Sequence, residues 1–174
     1  MVAKRQKFKG GRSGLIFGAK PHPIFRAGIK NNKPFPASVL SHMAAHLLDN
    51  LVAQYNGSNN GDFFAARKVI KLYGWASQGS VHGSLTELLG QGFIEQTRQG
   101  GRSKCCLNAQ TWLAIDGCGG ELDVAPTKVA PYLWESENQK NVNPRFVAAW
   151  NGGQNKPTSN KRPKLQLVVG MGTK

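Results

Sequence analysis

Gly74 separates two amphipathic stretches by only a few residues, and this constrains the chain more than any other feature. Two helices joined by a short turn containing glycine must cross steeply and share a core. The stretch before the turn, residues 63–73, reads as a helix with Asp62 as its N-cap and with Phe64 or Ala65, Val69 and Leu72 inward. The stretch after it starts at Ser77 or Ser80 as cap and runs to about Gly90. Its Val81, Leu85, Leu88 and Leu89 fall on one face. Upstream, Pro36 and Ser38 open a further helix in which Leu40, Met43, Ala44, Leu47, Leu48, Leu51, Val52 and Tyr55 recur at steps of three and four. Asn56-Gly57 ends it, because both residues accept the left-handed conformation of a helix stop.

Beyond Gly92 the period changes. Residues 93–98 read as a strand, residues 99–104 as a tip and residues 105–113 as a returning strand. Gly100-Gly101 supplies the positive φ angles that a tight hairpin uses. Helix, turn, helix and basic-tipped hairpin are the order of a winged helix-turn-helix, an α+β fold. Its core should hold Val69, Leu72, Val81, Leu85, Leu88, Phe93 and Ile94.

Charge divides the 174 residues further. The formal net charge is +14, which favours polyanionic partners and says nothing of fold. Residues 1–36 carry nine basic side chains and no acid, and residues 145–174 carry six and none. Residues 37–113 hold six basic and four acidic groups, and residues 114–144 two and five. A near-neutral body between cationic ends reads as a folded domain with arms. The expected organisation is a basic irregular arm at 1–36, the winged helix-turn-helix at 37–116, a partly packed extension at 117–150 and a flexible basic tail at 151–174. Within the tail, residues 165–169 form a short apolar run suited to an added strand or a partner.

Several classes are disfavoured. Three cysteines are an odd number, so no disulfide framework is expected. The basic polar start does not read as a signal peptide, and no apolar run approaches the ~20 residues that span a bilayer; a cytoplasmic protein is expected. Nucleotide-binding glycine motifs, a nucleophile elbow and paired carboxylates are all missing, so enzyme activity is not expected. His42 and His46 share a helix face but lack further ligands, and read as solvated or dimer-contact residues rather than a metal site. Cys105 and Cys106 are adjacent on a strand, point to opposite faces, and read as buried thiols. No cofactor or metal is expected.

Candidate nucleic-acid contacts fall into two groups. Gln78, Ser80, His82, Ser84 and Thr86 lie off the apolar stripe of the helix after Gly74, where amide and hydroxyl groups suit base edges. That helix holds no Lys or Arg. Arg67, Lys68 and Lys71 on the preceding helix, and Arg98, Arg102 and Lys104 around the hairpin tip, suit phosphates.

The stretch Asn60-Gly61-Asp62, Ala65-Ala66, Tyr73-Gly74-Trp75-Ala76-Ser77, Leu85, Glu87-Leu88, Gly92-Phe93-Ile94, Thr97-Arg98-Gln99-Gly100-Gly101, Thr111-Trp112-Leu113 and Ile115-Asp116 resembles small helix-turn-helix proteins of bacterial mobile elements and prophages. More broadly it resembles winged-helix transcription regulators and replication proteins. The resemblance covers about residues 60–124. It implies a winged-helix fold and duplex DNA binding, in transcription regulation or replication of a mobile element. The alternative is a non-enzymatic structural or interaction protein that binds RNA or a nucleoprotein assembly through its basic arms. A homodimer pairing through the first helix or the region after Leu113 would bring two reading helices together.

Overall fold

A computed structural model describes Lys20, Pro21, Ile24 and residues 36–154. The rest of the basic arm and the tail from residue 155, with its apolar run at 165–169, lie outside the described residues. The fold is mixed α+β. In chain order it has α1 (His42–Val52), α2 (Arg67–Leu72), α3 (Gln78–Gly90), β1 (Ile94–Arg98), β2 (Leu107–Gln110) and α4 (Pro144–Gln154).

α1 starts later than its pattern suggests. Pro36–Val39 forms a 3-10 turn, and Ser41 is the N-cap, its hydroxyl accepting the Ala44 N–H at 3.2 Å. Ala44, Leu47, Leu48, Leu51 and Val52 are buried at the spacing that lines one helical face. Met43 faces outward instead, 48% exposed. Ile24 from the basic arm is fully buried in the same core, and Lys20 pairs with Asp49 on α1. Burial lowers the pKa of that lysine.

The segment before α2 departs most from expectation. Residues 63–66 are not helical. Phe63 forms an antiparallel bridge with Asn108, donating to its carbonyl at 3.1 Å and accepting its N–H at 2.8 Å. Asn60 fixes this arrangement. Its side-chain N–H groups reach the carbonyls of Gln110, Leu113 and Ala114 at 3.0–3.2 Å, and its oxygen accepts the Gln110 N–H at 2.9 Å. A fully buried amide with every group paired stabilises the junction rather than straining it. Thr97 adds a bond from its hydroxyl to the Gly61 carbonyl.

α2 is therefore only six residues long, and its N-cap is Ala66, not Asp62. Its inward residue is Ile70, 1% exposed, whereas Leu72 is 86% exposed. The turn that follows brings Trp75 back onto Ile70, with a 3.3 Å bond from the Trp75 N–H to the Ile70 carbonyl. The Trp75 indole N–H meets Asn50 of α1 at 2.7 Å, both side chains being buried.

α3 matches its sequence pattern. Ser77 caps it, accepting the Ser80 N–H at 3.3 Å. Val81, Leu88 and Leu89 are buried and Leu85 is partly so. Gly92 stops it at φ +74°, and a Cβ there would lie 2.6 Å from the Leu133 carbonyl oxygen. Only glycine meets both demands.

β1 and β2 pair antiparallel, Ile94 with Gln110 and Arg98 with Leu107, with a bulge at Thr97. The tip is closed by Gly101 and Lys104, which exchange backbone bonds at 3.0 and 3.2 Å. Its positive φ belongs to Ser103, at 67°, and not to Gly100 or Gly101.

Beyond Ile115 the chain returns along the hairpin. Asp123 donates its N–H to the Thr97 carbonyl, and Tyr132 donates to that of Thr111. Leu133, Trp134 and Val142 are buried. α4 then packs on the end of α3. Gly90 lies under Trp150, so close that an added Cβ would come within 2.7 Å of the Trp150 Cβ. α4 extends through Gln154, four residues into the segment expected as tail.

Candidate nucleic-acid interface

α3 presents two unlike faces. Gln78, Ser80 and His82 are exposed, as expected of an outward polar face. Ser84 is not on that face. It is 4% exposed, three residues after Val81 and four before Leu88, and lies with them on the core side. Thr86 is half-buried and donates its hydroxyl to the His82 carbonyl at 2.9 Å, back-bonding along its own helix.

Glu87, the one acid of this helix, is 4% exposed. Its carboxylate accepts the Ser41 N–H at 2.5 Å and the Ser41 hydroxyl at 2.8 Å. The negative charge is committed to the start of α1 and does not oppose an anion at the outer face.

Gly79 and Gly83 complete the outward face. Nothing lies within 4 Å of a Cβ at Gly83, and at Gly79 only the Ser77 hydroxyl does, at 3.6 Å. Two glycines inside a helix weaken it by about 1 kcal/mol each, and packing in the described fold requires neither. Their spacing of four is the sequence signal for a smooth outer stripe.

The cations are divided by the fold. Arg67, Lys68 and Lys71 on α2 are exposed. Arg67 and Lys71 line a groove of about 150 Å³ with Trp75, Ser77 and Gln78, where α2 meets the start of α3. Arg102 and Lys104 are exposed at the hairpin tip and enter no ion pair among the described residues. Arg98 is different. Its guanidinium pairs with Glu121 at 3.0 Å and reaches the Cys105 carbonyl, with 14% of the side chain exposed. It joins the hairpin to the returning chain and is not part of the tip.

Compared with protein-family models, curated proteins and solved structures, the chain matches none.

Two further sets of residues sit beside this surface. His42 and His46 are exposed, and His46 stacks on Trp75 with ring centroids 5.5 Å apart and planes 18° apart. Cys105 and Cys106 are exposed, not buried, because β2 begins only at Leu107. No described helix is long and apolar enough to cross a membrane.

Proposed function

We propose that this chain binds duplex DNA as a winged helix-turn-helix protein, with α3 as the reading helix and the β1–β2 hairpin as the wing. The observation that carries this reading is the outer face of α3. It exposes Gln78, Ser80 and His82 over two unobstructed glycines, with Arg67 and Lys71 beside its start. Small residues let a helix backbone approach a groove closely. Amides and hydroxyls offer base edges hydrogen bonds, while flanking cations meet phosphates. The inward turn of Glu87 and the exposed Arg102 and Lys104 at the tip support the same reading.

The large aromatics argue against single-strand stacking as the main mode. Phe63, Trp75, Phe93 and Trp112 are all buried. The biological setting we propose is transcription control or replication of a mobile element, as in the proteins that the sequence resembles. A second copy pairing through α1 or the region after Leu113 would set two α3 helices on two half-sites.

Retention of duplex DNA, single strands and structured RNA at matched salt tests the reading. Duplex DNA should be held tightest, and with ~6 phosphates engaged, log affinity should fall against log salt with a slope of about −5. Preference for single strands or RNA, or a flat salt dependence, would overturn it.

A further inference from the structure

Residues 123–137 run back over the hairpin as a strip that is pinned through its backbone and open on its outer side. The Asp123 N–H donates to the Thr97 carbonyl at 2.9 Å, the Thr127 N–H to that of Ile115 at 3.0 Å and the Tyr132 N–H to that of Thr111 at 2.8 Å. Residues 123–129 are nevertheless exposed without a break, and so is Tyr132. Val124, Val129 and Tyr132 therefore turn apolar surface to solvent, Val129 being 75% exposed. Glu135 and Glu137, in the turns that lead into α4, are exposed and enter no ion pair among the described residues. They belong to residues 114–144, the one net-negative part of the chain, whose only bases are Lys128 and Lys140.

We propose that the tail of this same chain docks on the strip, with Lys161, Arg162 and Lys164 at Glu135 and Glu137, and with Leu165, Leu167 and Val169 over Tyr132, Val129 and Val124. The two segments are complementary in order. Read from residue 137 back to 124, the strip offers exposed acids and then exposed apolar side chains; the tail offers cations and then its apolar run. In an extended chain Leu165, Leu167 and Val169 share one side. Removal of apolar surface from water on both segments supplies the attraction, and the opposed charges set the direction in which the tail lies.

The point at which the tail leaves the fold is close to the strip. Trp150 of α4 lies against Gly90 and Leu133 lies against Gly92, at 2.7 and 2.6 Å from a Cβ added to each glycine. Consecutive Cα atoms are ~3.8 Å apart, so these two contacts place Trp150 and Leu133 within about 16 Å of each other. Gln154 is four residues beyond Trp150, about 6 Å along the helix axis. Residues 155–164 span up to ~33 Å when extended, and the run that starts at Leu165 thus reaches the strip with the fold unchanged.

This docking does not depend on the duplex-binding reading. Leu167 is replaced by photoreactive benzoylphenylalanine in the full-length chain, and equal amounts of light and isotopically heavy protein are mixed before irradiation. Mass spectrometry should place the cross-links between residue 167 and residues 123–137, light to light and heavy to heavy only. Light-to-heavy links would give the strip to the tail of a second copy and overturn the proposal. Links to other parts of the fold, or to solvent alone, would also overturn it. Val129→Ser, at an exposed position that leaves the core untouched, should lower the yield. Glu135→Lys with Glu137→Lys should lower it about fivefold, as two exposed ion pairs turn repulsive. Adding Lys161→Glu with Arg162→Glu to that pair should restore it. A yield indifferent to Val129→Ser and to the acid changes overturns the contact, and a loss that the second pair does not restore overturns the pairing of these charges.

Discussion

Glu87 holds Ser41 by both of its hydrogen-bond donors, the N–H at 2.5 Å and the hydroxyl at 2.8 Å, across 46 residues of chain. The start of α1 is thus capped from α3. Glu87→Ala should cost about 1–3 kcal/mol, because it leaves a part-buried N–H without its acceptor. Ser41→Ala should cost about 1 kcal/mol as a lost cap. The double variant should lose less than the two together, since both remove the hydroxyl–carboxylate bond. Strictly additive losses in urea unfolding would show that this hydroxyl bond contributes nothing, whereas the backbone bond to Glu87 persists in Ser41→Ala.

Ile70→Ala should destabilise by about 2–5 kcal/mol as a truncation in the core. Leu72→Ala, two residues on, should change stability by no more than about 0.5 kcal/mol, as is usual at the surface. Thermal melts of both variants check the phase of α2. Equal losses would mean that the exposed leucine is covered in solution.

Gly83→Ala should stabilise the folded chain by about 1 kcal/mol, because alanine suits a helix interior and meets open space there, and Gly79→Ala, in the first turn and in ordinary contact with the Ser77 hydroxyl, should stabilise it by less. The same variants should bind duplex DNA more weakly, as each methyl group holds the outer face of α3 off the groove. Higher melting temperature with unchanged affinity would place the DNA on another face.

Replacing Arg102 and Lys104 together by Ala should flatten the salt slope by up to ~2 units, about one for each phosphate that the tip no longer engages. Arg98→Ala should leave that slope in place, since its guanidinium is committed to Glu121. Titration at several salt concentrations separates the two. A slope that drops for Arg98→Ala and stays for the tip pair would reverse the assignment.

Glu95 should make the fold weaker as pH rises. Burial raises its pKa above the ordinary value, and one carboxylate oxygen lies buried without a hydrogen-bond partner. The folded state therefore holds the proton more tightly than the unfolded one. Stability falls as pH rises from the unfolded pKa through the folded one. Glu95→Gln should be more stable than the parent at pH 7 and lose that advantage in acid, below the unfolded pKa. Urea unfolding at both pH values tests this, and an advantage independent of pH would exclude titration as its cause.

What the sequence makes legible is what is local. α3 is readable because Ser77, four apolar residues in helical register and Gly92 all lie within sixteen residues. α2 is not, because six residues make fewer than two turns and leave the phase open. Phe63 reads as helical beside Phe64 and Ala65, and its place in the sheet is decided by Asn108, far along the chain. The same holds for the candidate interface. Gln78, Ser80 and His82 face outward as their spacing implies, but Arg98 is withdrawn by Glu121 and Glu87 by Ser41. Side-chain pairing across such separations leaves no local pattern. Ser84 shows the limit even within one helix, since a small polar side chain on an apolar stripe looks solvent-facing until its neighbours are known.

The Asn60 clamp has a consequence for the order in which the chain acquires its shape. Its partners lie 50 to 54 residues downstream, and pairings so distant in sequence are closed only after a large loss of chain freedom. On a chain growing from its N-terminus, α1 and α3 are complete by Gly90 and can meet early. Residues 60–63 must wait until Ala114 has left the ribosome. A chain interrupted before that point would carry both helices and the turn between them while lacking the anchor that joins them to the hairpin.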